Sequence, residues 1–168
     1  MKKSKLKECK EMKISAQLAK HIREVHFGGN WTAVNLKETL ADVSWQQATT
    51  KIDSLNTIAA LVYHMHYYVD VIIKVLRSEP LQAHDKYSFD VPPIQSQHDW
   101  QNLMDMVWND AEVLAGLIEQ LPDEALDTIF IKEKYGNYLR NFQGLAEHTH
   151  YHLGQIVLIK KLSKNTDG

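Results

Sequence analysis

The stretch AEHTHYHLGQI, residues 146–156, decides the fold because it carries histidines at three alternate positions. In a strand, His148, His150 and His152 would all point the same way, whereas in a helix only two of them would. The neighbouring residues favour the helix, since strand alternation leaves no consistent apolar face. A seam with alternating spacings of three and four residues runs through Phe142, Leu145, Thr149, His152, Ile156 and Ile159. This spacing predicts a bundle helix over about residues 138–163.

Three further long helices are predicted by the same kind of periodicity. They lie near residues 5–26, 54–78 and 97–120. The second of them is apolar almost all round, which indicates deep burial. Together with the last helix, they predict an all-α fold, a four-helix bundle whose helices pack around one core.

Local signals set the boundaries of these helices. Gly28 follows the first helix, Ser96 is a good N-cap for the third, and Pro122 ends it. Ser44 followed by Gln47 is a capping box that opens a short helix, and NLKETLADV predicts another short helix before it.

Two segments lack helical periodicity. Residues 78–96, which contain three prolines, predict a long crossover loop between the second and third long helices. Residues 127–139, DTIFIKEKYGNYL, are ambiguous: the β-rich TIFI and the turn-like YGN are compatible with a short hairpin or with an extended link.

Length and composition predict one domain over residues 1–168. The chain is 44% hydrophobic and 24% charged, values typical of a globular protein, and its net charge of -2 gives no general attraction to nucleic acid or acidic membranes. We expect no signal peptide. We also expect no membrane span, because charged residues and histidines interrupt the most apolar stretch. The single cysteine, Cys9, excludes an internal disulfide and favours a cytoplasmic location.

His148 and His152 form a candidate metal-binding pair. On a helix they lie about 40° apart on one face, whereas His150 projects about 200° away from His148 and should face outward. Two imidazoles one turn apart can bind one divalent cation, provided that both are neutral, so affinity should fall below about pH 6.5. The alternative for His152, which occupies a seam position, is a hydrogen-bonded core histidine.

A third ligand is available on the second long helix, which carries His64 and His66. They are two residues apart and therefore about 200° apart around the helix, so only one of them can reach a given point. Both lie among apolar neighbours, and helical geometry alone does not choose between them.

At this point the sequence resembles the DinB-like (also called YfiT-like) four-helix-bundle proteins. The resemblance lies in AALVYH, in HTHYHLGQI, in GGNWTAVNLKETLADV after the first helix and in DKYSFDVPPI in the crossover. It implies a metal site made by His64, His148 and His152, with His66 and His150 outside it. It also implies pairing of two copies of the chain into a homodimer.

The resemblance implies that the protein acts on small molecules with a divalent transition metal: Zn, Ni, Co or Fe. Three histidines leave coordination positions open, as catalytic sites do. The resemblance suggests a metal-dependent thiol S-transferase using a low-molecular-weight thiol, or a hydrolase. We expect few carboxylates near the metal, since Glu147 points about 100° away from His148, and this favours the transferase slightly. The alternative is a non-catalytic dimeric metal-binding or stress-response protein.

A candidate dimer surface lies on the third long helix. Trp100 and Trp108 are about 80° apart around its axis, so both could belong to one broad apolar face. The sequence therefore predicts that this face contributes to a symmetric interface.

Overall fold

The computed structural model describes residues 12–164, and within this range the chain is all-helical, without a named strand. The all-α prediction is confirmed for these residues. The described α-helices are α1 (Ile14–Phe27), α2 (Leu36–Leu40), α3 (Trp45–Thr49), α4 (Ile58–Leu76), α5 (Gln97–Glu119) and α6 (Tyr138–Lys164).

The four long helices each contact two of the others. α1 packs against α5 and α6, and α4 packs against the same two helices from its own side. Short helices α2 and α3 pack on the ends of this arrangement, α2 on α1 and α6, and α3 on α4 and α5. The metal-site candidates therefore lie on two helices, α4 and α6, that are in direct contact.

The interior consists of two apolar clusters rather than the one core predicted. One is built around Leu61, Trp100 and Ile156, and the other around Ile73 and Phe142. Between them, every long helix places buried or half-buried polar side chains, which we call the polar layer. Its members are His26, His64, His66, Asp110, His148, Thr149 and His152. These polar side chains separate the two apolar clusters. Each needs a hydrogen-bonding partner, which an aliphatic neighbour cannot supply.

Residues 12 and 13 of the first predicted helix are not helical, and α1 begins at Ile14. Residues 5–11 of that prediction, with Cys9, lie outside the described residues. The backbone N–H groups of Ile14 and Ser15 each donate to the Asp123 carboxylate at 2.9 Å. A carboxylate at this position satisfies free N–H groups and complements the positive end of the helix dipole.

The structure shows one of the two hydrogen bonds that a capping box at α3 would make. Ser44 accepts a hydrogen bond from the Gln47 backbone N–H, as predicted. The Gln47 amide, however, does not return to Ser44, and donates instead to the Ser163 hydroxyl of α6 at 2.7 Å. The side chain thus ties the short helix to the end of α6.

Helix α4 is long and apolar enough to cross a membrane by length and composition, contrary to the expectation from its interrupted sequence. Of its most apolar window, 56% is buried inside the protein, where it packs against α5 and α6. Burial in the protein interior therefore accounts for the apolar character of this helix.

The two aperiodic segments are largely irregular. Residues 78–96 contain one short 3-10 helix, Asp85–Tyr87, and otherwise run without regular structure, as predicted. In residues 127–139, an isolated antiparallel bridge joins Ile129 and Asn137, so the hairpin alternative is realised only in its smallest form. The bridge closes through Gly136, whose φ of 75° suits a residue without a side chain.

The prediction that Trp100 and Trp108 share an exposed apolar face is wrong. Trp100 is 2% exposed, and its indole N–H donates to the Val43 carbonyl at 3.0 Å. Trp108 is partly buried, with its ring 6.0 Å from that of Phe27. The loop around Val43 covers this part of α5, which a helical projection of α5 alone could not reveal.

Candidate metal centre

The structure brings His64, His148 and His152 together at one point between α4 and α6. The Nε2 atom of His148 lies 3.0 Å from Nε2 of His64 and 3.0 Å from Nε2 of His152. One nitrogen from each ring falls within 4.8 Å of the others, close enough to hold a single metal ion. His64 and His152 are 8% and 7% exposed, so the cluster belongs to the polar layer.

The hydrogen bonds of His64 define which of its nitrogens carries the proton. Its Nδ1 lies 2.9 Å from the Ser88 hydroxyl oxygen, and the Ser88 O–H itself donates to the Asp85 carbonyl at 2.7 Å. Because the hydroxyl proton is already used, Ser88 must accept from His64 Nδ1–H. Nε2 of neutral His64 is therefore a bare lone pair directed at the cluster.

His152 is oriented in the same sense. Its Nδ1 lies 2.7 Å from Oε1 of Gln155, a carbonyl oxygen that can only accept. The ring must donate from Nδ1, which leaves the lone pair of Nε2 facing His148. Histidines that bind metals in proteins are commonly held through the other ring nitrogen in this way.

His148 completes the cluster, but it cannot give every nitrogen in the cluster a hydrogen-bond partner. Burial chiefly, and then the neighbouring His152 and His64, lower the pKa of His148 to about 4, so the ring is neutral at pH 7. Its Nδ1 is buried and has no hydrogen-bond partner within residues 12–164. If the proton sits on Nδ1, three lone pairs meet; if it sits on Nε2, one N–H faces two acceptors. Burial also lowers the pKa of His64.

A divalent cation fits this arrangement. Two nitrogens each about 2.0–2.1 Å from one ion and 3.0 Å apart subtend roughly a right angle, which is the angle between neighbouring ligands in octahedral rather than tetrahedral coordination. The lowered pKa values of His64 and His148 mean that these two rings keep a nitrogen free for a cation at a lower pH than an unperturbed imidazole would.

Aromatic rings enclose the cluster on the side of the crossover loop. Phe89 stacks on His64 with ring centroids 4.0 Å apart, and Tyr68 makes edge contacts with His64 and His148. The Tyr68 hydroxyl donates to the Asp85 carboxylate at 3.0 Å. Burial, followed by the interaction with Asp85, raises the pKa of Tyr68, so the phenol keeps its proton at neutral pH.

A pocket of about 390 Å³ opens beside the cluster, and His148 forms part of its wall. Most of its lining is apolar, and the space is sufficient for a small organic molecule. No tryptophan lines this pocket among the described residues, and Tyr68 stands at its wall. A site with three nitrogen donors and adjoining space has the features expected of a centre that accepts an exchangeable ligand.

The structure places His66 and His150 away from the three clustered rings. His66 Nε2 donates to the Asp110 carboxylate at 2.7 Å. His150 is half-buried rather than facing outward as expected, because α1 covers this side of α6 and brings His21 to 5.9 Å from its ring. Its Nδ1 donates to the Ala146 carbonyl at 3.1 Å.

The surrounding residues were largely missed from the sequence. Ser88 and Asp85 come from the aperiodic crossover and Tyr68 from α4, whereas Gln155 follows His152 by three positions on the same helix. Glu147 is exposed and lines a different pocket, as its predicted direction implies. We expected few carboxylates near the metal, but Asp85 lies in the wall of the pocket beside His148.

No family model, curated protein or solved structure matches this chain. The resemblance to DinB-like proteins therefore rests on the quoted sequence motifs.

Proposed function

We propose that this protein is a divalent-metal-binding member of the DinB-like four-helix-bundle group, and a metal-dependent enzyme that acts on small molecules. The observation that carries the proposal is the convergence of three Nε2 atoms, two of them fixed as lone pairs by Ser88 and Gln155. Without a cation, the three facing nitrogens share at most one N–H; a bound Zn, Ni, Co or Fe ion would pair with all three.

The chain's own groups would divide the remaining work. When bound, the metal would supply a Lewis acid that lowers the pKa of a bound water or thiol. Ser88 and Gln155 orient the ligand rings, and Phe89 and Tyr68 limit the access of water from the crossover side. The Tyr68 phenol holds a proton next to the pocket, with Asp85 as its acceptor.

Thiol transfer is the first reaction that we propose, with a low-molecular-weight thiol as cosubstrate. A thiolate at a metal needs no protein base, and the apolar pocket beside His148 would receive the electrophile. Hydrolysis is the second candidate. It is favoured by one specific observation, the Tyr68–Asp85 hydrogen bond at the pocket wall, since hydrolysis requires groups that can exchange protons with substrate or water.

The test begins with the metal. Elemental analysis of the purified protein, followed by zinc and nickel titration, should give one ion per chain. Conjugation of a panel of low-molecular-weight thiols to 1-chloro-2,4-dinitrobenzene should then depend on that ion and be lost in His148→Ala. Hydrolysis of p-nitrophenyl acetate by the same samples tests the second candidate. One bound ion with neither activity would favour the non-catalytic binding protein instead.

The homodimer and the cytoplasmic location complete the proposal. The loss of Trp100 from the candidate surface removes one reason for the dimer, so its support is now the family resemblance alone. Light scattering over a range of protein concentrations tests it directly, and a constant monomer mass would contradict it.

A further inference from the structure

The pocket beside His148 is elongated along α6, one face of which forms its long wall. Arg140, Gly144 and His148 line it at successive four-residue intervals. Eight residues of helix rise about 12 Å, so the pocket extends from the histidine cluster to the first turn of α6. The wall opposite is mostly apolar and comes from α4, the crossover loop and the segment before α6: Val71, Ile72, Leu81, Ala83 and Phe130. Its carboxylate, Asp85, accepts a hydrogen bond from the Tyr68 hydroxyl, and Tyr68 contacts the His148 ring at the other end of the pocket from Arg140.

Arg140 provides a positive charge at the far end of this pocket. No carboxylate pairs with its guanidinium among residues 12–164, whereas Arg23 is held by both Glu112 and Glu119. Of the residues that line the pocket in this range, Arg140 alone carries a guanidinium or ammonium group. The neighbouring amide of Asn141 is already committed to backbone carbonyls.

The backbone makes room for this arginine. A Cβ atom on Gly136 would lie 2.6 Å from Cδ of Arg140. The Arg140 side chain therefore occupies space that the side chain of any other residue at position 136 would need. The position in the first turn of α6 adds the positive end of the helix dipole to the charge of the guanidinium. Both features favour an anion at this end of the pocket.

The middle of the pocket is open over Gly144. A Cβ atom added there would meet nothing within 4 Å, so the absence of a side chain leaves space for a ligand to lie along α6. Gly116 of α5 has equally open surroundings but lies outside this pocket. The two glycines therefore form a matched pair for testing occupancy.

We propose that the pocket binds a small molecule with an apolar body and an anionic group, such as a carboxylate. The anion binds Arg140, the body lies over Gly144, and the opposite end reaches the histidine cluster. This assignment rests on the proposed function, since it names the class of substrate for that site, and it involves residues that take no part in holding the metal.

The probes are 4-phenylbutyrate and 4-phenylbutan-1-ol, which share an apolar body and differ in charge. We expect the full-length chain, with or without one equivalent of zinc, to bind the carboxylate about 3- to 10-fold more tightly by calorimetry. Arg140→Gln should remove this preference and leave the affinity for the alcohol unchanged, and Arg140→Lys should restore part of it. Gly144→Leu should weaken both probes at least about 10-fold, whereas Gly116→Leu should not.

Zinc titration of the same variants separates this proposal from the one on which it rests. Unchanged zinc affinity in Arg140→Gln, with the preference lost, supports the assignment. If the chain binds no zinc but discriminates between the probes through Arg140, the metal proposal fails and the anion site stands. Equal affinity for the two probes, no binding of either probe, or a preference that persists in Arg140→Gln overturns the assignment.

Discussion

Helices α4 and α6 each carry histidines on two sides, and the two sides behave differently. On the side of the crossover loop, His64, His148 and His152 meet one another. On the other side, His66 has the Asp110 carboxylate and His150 has the Ala146 carbonyl as a partner. The same residue type on the same two helices thus forms a converging cluster in one place and separate side chains in the other, although Nε2 of His150 is buried without a hydrogen-bond partner among the described residues.

The difference lies in where the proton-bearing nitrogens point. In the cluster, Ser88 and Gln155 accept hydrogen bonds from the Nδ1–H groups of His64 and His152. The Nε2 lone pairs of these two rings therefore point into the cluster. Across the helix, His66 directs an N–H at the Asp110 carboxylate and His150 directs one at the Ala146 carbonyl, and among the described residues neither ring joins a group of three possible metal ligands. A buried histidine therefore becomes a candidate ligand where its free nitrogen converges with those of other rings, and burial alone does not distinguish the two cases.

The largest expected effect comes from removing a clustered ring. Alanine at His64, His148 or His152 should weaken zinc binding by about 100-fold or more, because it removes one of three donors. His150→Ala is the matched control on the same helix and should change the affinity by less than about threefold. Competitive titration with a chelating zinc indicator measures both, and equal losses at positions 148 and 150 would contradict the comparison.

The acceptors behind the rings should have a smaller effect. Gln155→Leu or Ser88→Ala should weaken zinc binding by about 10- to 100-fold, since the ring then loses its fixed orientation. Gln155→Glu keeps an oxygen that can accept from His152 and should retain most of the affinity. Zinc affinities that do not distinguish leucine from glutamate at position 155 would show that the acceptor does not orient the ring.

The other side of the helices should respond in stability rather than in metal binding. Asp110→Ala leaves the buried N–H of His66 without its acceptor and should lower the free energy of unfolding by about 1–3 kcal/mol. Zinc affinity should stay within about twofold. Asp105→Ala, at an exposed position of the same helix, is the control and should cost less than about 0.5 kcal/mol in urea unfolding. A large loss of zinc binding in Asp110→Ala would mean that the two sides are coupled.

The last expected effect is a pH dependence of the stability of the metal-free protein. The pKa of His148 is about 4 when folded and 6.5 in the unfolded reference, so between these values the unfolded chain binds the extra proton. The stability contributed by neutral His148 is complete above pH 6.5 and is lost as pH falls towards about 4. Thermal unfolding across this range should show a smaller slope in His148→Gln, and identical slopes would argue against the lowered pKa.

The sequence predicted those parts of the site that depend on helical spacing. His148 and His152 are four residues apart, and a helix necessarily places them on one face. The choice between His64 and His66 depends on how α4 is rotated against α6, which no single helix can determine. It was made through the family resemblance, and the structure groups His64 with the other two.

The remaining parts depend on contacts between distant segments. Ser88 reaches His64 across 24 positions from a loop without periodicity, so no local pattern indicates their contact. The burial of Trp100 follows similarly from the Val43 carbonyl, 57 positions away. Helix caps such as Ser44 and Ser96 were accessible because their signals are local, whereas the pocket and its charges arise only from packing.

The Asp123 carboxylate that holds the start of α1 also bears on the order of assembly. It lies 109 residues after Ile14, so synthesis produces α1 long before the group that closes its end. Helix α1 therefore acquires the hydrogen bonds of its first two N–H groups only after α5 has been made. Pulsed hydrogen exchange at Ile14 and Ser15 should show late protection, after the amides in the middle of α4.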